Sequence, residues 1–142
     1  MIDWKKILIK SSDSLEHAIT ILHEGGSRIT LVADEYNKLL GTITDGDIRR
    51  ALLNKLTMKS EVKTIMNDSP IKASLELSKQ ELLQIMKEKS LLHMPIVTEN
   101  GVICGLETME HLIKNPRHKN PVFIMAGGFG KRLLPLTENT PK

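Results

Sequence analysis

The chain has 142 residues, with 20 Lys and Arg against 17 Asp and Glu, and a formal charge of +3 at pH 7. Its 40% hydrophobic and 26% charged residues are typical of a globular protein and argue against disorder. The single cysteine, Cys104, excludes an intramolecular disulfide and a cysteine-based metal site, and the short apolar runs argue against a membrane span.

The basic balance of the chain raises the question of nucleic-acid binding, since the sequence pI is about 9.0. Basic and acidic residues are interspersed, however, and aromatic residues make up only 3% of the chain. Nucleic-acid surfaces combine clustered basic charge with stacking aromatics. We therefore expect no nucleic-acid partner, no membrane partner and no metal site. Because the N-terminus lacks a signal-peptide pattern, we expect a cytoplasmic protein.

The first half of the chain predicts a short strand, a helix, two further strands and a second helix. Asp13 is expected to cap the first helix, with Glu16 completing a capping box, and a Gly-Gly pair to end it. Alternating and branched apolar residues predict the strands. The strands are predicted at residues 7–9, 29–33 and 39–44, and the second helix at residues 45–53.

The second half repeats this plan after a shift of 64 residues, as from Ile7 to Ile71. The two halves align without a gap over about forty positions. Ser78 and Glu81 predict a capping box at the first helix of this half. The remaining elements are predicted as strands at residues 94–98 and 102–106, a helix at 109–113, a linker at 54–63 and one helical turn at 64–67.

These elements predict an α+β fold of two β-α-β-β-α repeats related by a pseudo-twofold axis. Each half is marginal for a core of its own, so the halves are expected to pack together. The predicted domains are 1–57 and 58–114, followed by a linker at 115–120 and a segment at 121–142. The last segment has the pattern of a first strand and a glycine-rich loop. We therefore expect the chain to be a piece of a longer protein.

The sequence Gly-Thr-Ile-Thr-Asp-Gly-Asp-Ile at residues 41–48, placed within a duplicated unit, resembles the CBS (cystathionine-β-synthase) domain. The resemblance covers residues 1 to about 114 and implies a tandem CBS pair that binds an adenine nucleotide (AMP, ADP or ATP) or a related purine ligand. It implies phosphate contact for Thr44 and ribose contact for Asp47. It also places Ser27, Arg28 and Ile29 near the ligand. A helix N-terminus at Thr44 would itself attract phosphate.

A structural interpretation of the same residues stays open, in which Thr44 only caps the helix and Asp47 serves the helix dipole. The second repeat has His111 in place of Asp47 and Glu107 in place of Ile43. An imidazole offers one acceptor rather than two, and a carboxylate repels phosphate. We therefore predict one competent site and a weak or empty second one. His111 is expected at the surface or an interface.

Residues 125–142 resemble the N-terminal signature of sugar-1-phosphate nucleotidyltransferases, the mannose-1-phosphate guanylyltransferase-like enzymes among them. The resemblance implies that a longer protein joins an NTP and a sugar-1-phosphate into an NDP-sugar and pyrophosphate. Mg²⁺ would be held there by carboxylates that this chain does not include. The signature residues are Arg132 and Lys142, and the nucleotide loop comprises Gly127, Gly128, Gly130, Lys131 and Arg132. The 142-residue chain itself is not expected to be an enzyme.

Taken together, the two resemblances predict a nucleotide-sensing regulatory pair that acts on its own downstream nucleotidyltransferase domain in a bacterium. CBS pairs commonly form homodimers, so a homodimer is expected. One alternative is a dimerisation scaffold that takes no ligand. Another is that the chain is itself catalytic.

Overall fold

Each half of the chain forms one three-stranded sheet with helices, and the computed structural model describes residues 3–114. The elements are a 3-10 turn at Trp4–Ile7, β1 (Leu8–Lys10), α1 (Leu15–Gly25), β2 (Ile29–Ala33), β3 (Leu39–Thr44), α2 (Asp45–Leu53), a 3-10 turn at Val62–Thr64, β4 (Ala73–Ser74), α3 (Lys79–Glu88), β5 (His93–Val97), β6 (Ile103–Thr108) and α4 (Met109–Ile113). The predicted linker at 115–120 and the segment at 121–142, with its glycine loop, lie outside the described residues.

The two sheets have the same topology and register. In each, a short first strand pairs parallel with the second, which pairs antiparallel with the third. Ile9 pairs with Val32, and the pairing of Ala73 with Ile96 repeats this contact 64 residues later. Both hairpins also carry a register irregularity at the same place. The mixed α+β duplication predicted from the sequence is therefore confirmed.

The two repeats meet at the tips of their hairpins. Leu39 N donates to Gly101 O at 3.0 Å, and Ile103 N donates to Asn37 O at 2.9 Å. Each bond is the image of the other under the 64-residue shift. Asn37 and Gly101 both adopt left-handed backbone angles, with φ of 59° and 80°. The pseudo-twofold axis passes between these paired tips.

One hydrophobic cluster belongs to both repeats, which makes the two halves a single packed unit. It contains Ile7, Ile29, Leu31, Ala33, Ile103 and Leu106. Each repeat also has one hydrophobic cluster of its own beneath its helices, around Val32 in the first repeat and around Met94 in the second. Burial of apolar surface between halves supplies the core that neither half completes alone.

The start of α1 differs from its prediction. The N-cap is Ser14, whose hydroxyl accepts from His17 N at 3.2 Å, rather than Asp13. The Asp13 carboxylate instead accepts from Lys10 N at 2.8 Å and closes the turn after β1. The third residue of the helix is therefore His17, not Glu16, and the predicted capping box was wrong. Either of two adjacent polar residues could have served as cap, and the end of the strand decides which one does.

Four predicted elements have the observed bounds: β2, β3, α2 and α4. The two strands of the second hairpin are displaced by one or two residues from 94–98 and 102–106, and the helical turn lies at Val62–Thr64 rather than 64–67. β6 ends at Thr108, which has an extended backbone and is the N-cap of α4. Within residues 3–114, none of the helices has the length and hydrophobicity required to cross a membrane.

Candidate functional site

A cavity of about 410 Å³ opens where the two repeats meet, and we refer to it as the first cleft. Its size falls in the range of small-molecule sites. Residues of both repeats line it: Arg28, Ile29, Thr42, Thr44, Asp45 and Gly46 from the first, and Asn67, Pro70, Ile71, Ser90, Leu91, Leu92, His93 and Pro95 from the second. A ligand bound here would therefore touch both halves.

The N-terminus of α2 contributes polar groups to the lining of the first cleft. Thr44 is the N-cap, in extended conformation, and Gly46 in the first turn exposes the backbone without a side chain. Free backbone N–H groups and the helix dipole make such an end attractive to anions. The Asp45 carboxylate at the same end opposes that attraction in part.

Arg28 supplies the positive side chain of this cleft from the loop before β2. It is exposed, and its backbone is left-handed, with a φ of 56°. A left-handed backbone is strained for a residue with a Cβ, and such strain is often found at functional sites. The 64-residue shift carries Arg28 onto Leu92, so the second repeat has no matching cation at that position.

The first cleft also has an apolar part of its lining. It includes Ile29 and Pro70, with Ile71 and Leu92, which are 42% and 63% exposed. An apolar surface beside a cation and a helix N-terminus suits a flat, partly hydrophobic group joined to an anion.

Asp47 lies beneath Thr44 and is not among the residues that line the first cleft. Its Oδ2 accepts from Thr44 N at 2.8 Å and from Thr44 Oγ1 at 2.7 Å, which forms a capping box at α2. Its Oδ1 pairs with the guanidinium of Arg50, an exposed side chain. The carboxylate thus fixes the orientation of Thr44, as the structural interpretation predicts.

The other predicted site residues divide between two cavities. Arg28, Ile29 and Thr44 line the first cleft. Ser27 is buried, donates its hydroxyl to Ile29 O at 2.9 Å, and lines a neighbouring cavity instead. Three of the residues predicted near a ligand therefore line the first cleft, and one of them, Arg28, lines both cavities.

The neighbouring cavity, the second cleft, measures about 390 Å³ and is the pseudo-symmetric partner of the first. Its lining residues are Gly26, Ser27, Arg28, Leu92, His93, Thr108, Met109 and Glu110. Under the 64-residue shift, Glu110 replaces Gly46 at the helix N-terminus. A carboxylate therefore stands where the first cleft exposes bare backbone, and it opposes an anion.

In the second repeat, His111 stands at the position that the capping residue Asp47 has in the first, and it pairs with Glu107. His111 Nδ1 lies 2.7 Å from Oε2 of Glu107, whose side chain is buried. Thr108 Oγ1 accepts from His111 N at 3.1 Å and caps α4. The imidazole, predicted at a surface or interface, is 40% exposed and pairs with a carboxylate of its own repeat. In the described part of the chain, no three His, Cys, Asp or Glu side chains are grouped to hold a metal ion.

His93 lines both clefts and was not singled out from the sequence. Burial lowers the pKa of the His93 ring below its usual value of 6.5, and Arg28 lowers it further. A hydrogen bond to the Ser27 backbone and the charge of Asp45 act in the opposite direction. The signal that could have found it is the repeat itself, because the 64-residue shift aligns His93 with Ile29.

The sequence of the chain matches a family model described as CBS domain at residues 3–54 and 62–117. The arabinose 5-phosphate isomerase KdsD of Francisella tularensis is 32% identical over 108 residues, covering 75% of this chain and 33% of that protein. The inosine-5'-monophosphate dehydrogenase of Korarchaeum cryptofilum is 30% identical over 113 residues, covering 79% and 22%. The chain thus spans a third or less of the length of these curated relatives.

Solved structures with the same architecture include two with bound ligands. The CBS domain pair of protein MJ0100, in complex with 5-methylthioadenosine and S-adenosyl-L-methionine, is 27% identical, with a TM-score of 0.65 over 73% of this chain and 82% of that one. The CBS domain protein PAE2072 from Pyrobaculum aerophilum, complexed with AMP, is 16% identical, with a TM-score of 0.69 over 81% and 92%. The second likeness shows the fold alone.

Proposed function

Because this chain belongs to the CBS-domain family, we propose that residues 3–114 form a regulatory module that senses an adenine nucleotide or a related purine ligand. The observation that carries this proposal is the mixed lining of the first cleft. Arg28 and the N-terminus of α2 would hold a phosphate, and apolar side chains such as Ile29 and Ile71 would hold the base. The adenine-containing ligands of the MJ0100 pair support the same ligand class.

Within this proposal Thr44 and Asp47 act in sequence. Thr44 lines the first cleft, and its hydroxyl donates its one proton to Asp47 Oδ2; that proton would turn to the phosphate when a ligand binds, and Asp47 would then accept from Thr44 N alone. Within residues 3–114, the Oδ1 of Asp47 is paired with Arg50, whose side chain is 68% exposed. Exposed ion pairs contribute little, so a ribose hydroxyl could replace Arg50 at that oxygen at small cost. This arrangement is compatible with both the ligand role and the capping role of Asp47.

We expect one nucleotide per chain. The two linings share Arg28 and Leu92, and each has one carboxylate, Asp45 in the first cleft and Glu110 in the second. They differ in its place: Glu110 stands at the helix position where the first cleft exposes the backbone of Gly46, and a carboxylate there would oppose a phosphate.

The proposal extends to a catalytic domain that the pair would regulate. The Gly127–Lys142 motif supports a nucleotidyltransferase as the regulated domain, with Mg²⁺ bound there, and the family supports a homodimer. Ligand binding would act through a difference in affinity between two arrangements of the pair. A scaffold that takes no ligand is the second candidate, and the fully engaged Asp47 carboxylate favours it.

A thermal stability scan of the chain against AMP, ADP, ATP, GMP, GTP and S-adenosylmethionine tests the proposal. A ligand at 100 times its Kd adds about 2.7 kcal/mol, which moves the Tm by several degrees. Arg28→Gln is expected to remove the shift. Arg49→Gln removes the same charge from an exposed position on α2 and should keep it. No shift with any of these ligands would favour the scaffold.

A further inference from the structure

His93 occupies the seam between the two clefts. It is the first residue of β5, where it pairs with Thr108 of β6, and its half-buried side chain lines both cavities. Its ring is hydrogen-bonded to the backbone of Ser27 in the first repeat. The second repeat thus contributes an ionisable group to a cleft whose cation, Arg28, belongs to the first.

Charged groups of both signs surround His93. From the first repeat, Arg28 and Asp45 act on it with opposite signs. On α4, Glu110 lines the second cleft beside it, and on β6 Glu107 is engaged by His111. Of the described residues that line the first cleft, Arg28 is the one permanent cation.

An anion placed between Arg28 and the α2 N-terminus changes this balance. A phosphomonoester brings about −1.5 to −2 charges into a cleft whose fixed charges offset one another. A nearby opposite charge favours the protonated imidazole, the form that burial and Arg28 disfavour in the cleft without a ligand, where they hold the pKa of His93 below its usual value.

We propose that His93 is a second, conditional cation of the first cleft, so that binding of a phosphorylated ligand is coupled to proton uptake at this ring. His93 then discriminates phosphorylated from unphosphorylated purine nucleosides, and does so more strongly as the pH falls. This inference rests on the proposed function, because it concerns the same cleft.

The sharpest probe is adenosine 5′-sulfate, whose anionic group does not titrate near neutral pH, with AMP and adenosine beside it. Calorimetry in two buffers of different ionisation enthalpy measures the protons taken up on binding. We expect a fractional uptake near pH 6.5 and an affinity for the sulfate about three- to tenfold higher near pH 6 than near pH 7.5. Adenosine should show no such gain.

His93→Gln is expected to remove both the proton uptake on binding and the gain in affinity at lower pH. His17→Gln, on the exposed face of α1, should leave both unchanged. In the unmodified chain, the NMR titration of the His93 ring should move to higher pH when the sulfate is added, a result that needs no variant. If adenosine 5′-sulfate or AMP binds without these effects, the proposed role of His93 is wrong and the proposed function still stands. Failure of both to bind at either pH overturns the two together.

Discussion

Replacement of Asp47 by alanine separates the capping role of this carboxylate from its role toward a ligand. The substitution removes both bonds from Thr44 to Oδ2 and the carboxylate at the N-terminus of α2. Loss of a cap costs about 0.5–2 kcal/mol, and loss of the charge at a helix N-terminus about 0.3–1 kcal/mol. The exposed Arg50 partner adds little. We expect the free energy of unfolding to fall by about 1–3 kcal/mol.

Urea unfolding monitored by circular dichroism measures this loss. The matched control is Glu81→Ala, which removes the third-position carboxylate from the corresponding capping box of α3. Because the Glu81 box is exposed, whereas Asp47 is largely buried, the control should lose less stability.

The outcome that would refute this reasoning is an Asp47→Ala chain as stable as the unmodified one. If that stable variant also loses nucleotide binding, Asp47 serves the ligand directly and the capping box is incidental. Asp47→Asn then resolves the intermediate case, since the amide keeps one acceptor for Thr44 N but no charge.

Three further predictions concern single residues. Thr30 is fully buried, and its hydroxyl has no hydrogen-bond partner among the described residues. Thr30→Val should therefore raise the free energy of unfolding by about 1–2 kcal/mol. A lower free energy of unfolding in urea would mean that the hydroxyl is hydrogen-bonded. Arg28→Gly should relieve the strain of the left-handed backbone and raise the free energy of unfolding by up to about 1 kcal/mol. The same variant should lose the Tm shift that a nucleotide induces. A less stable variant would show that the guanidinium supports the fold. For His93, the pKa in the folded state lies below the usual 6.5, so the unfolded state binds more protons and stability decreases as the pH falls through 6.5. His93→Gln should flatten that decrease, and equal slopes for the two chains in urea titrations would contradict the assignment.

Local features of the fold were accessible from the sequence because they depend on neighbouring residues. The 64-residue duplication, the branched strands at Ile29–Ala33 and Leu39–Thr44, and the capping box at Ser78 are set by periodicity and short-range hydrogen bonds. The start of α1 was wrong by one residue because Asp13 and Ser14 have similar capping ability, and a longer-range constraint at the end of β1 separates them.

The candidate site was only partly accessible for the same reason. The Thr-x-x-Asp pattern located Thr44 at a helix N-terminus, a property of the chain within one turn. It did not decide whether Asp47 faces a ligand or the cap, since the two roles require the same residue at the same spacing. The partner residues Pro70 and Ile71 come from the other repeat, and no pattern local to Thr44 indicates them.

The sequence by itself therefore determined the repeat, its elements and the chemistry available at the start of α2. Tertiary structure alone decided which side chains share a cavity. Packing across the pseudo-twofold axis brings Arg28 of one half beside His93 of the other, and the same packing gives two clefts of similar size that share both residues. The physical reason is that a duplicated fold repeats its backbone exposure, whereas the helix N-terminus that each cleft presents depends on individual residues, Gly46 in one and Glu110 in the other, which meet the partner half only after packing.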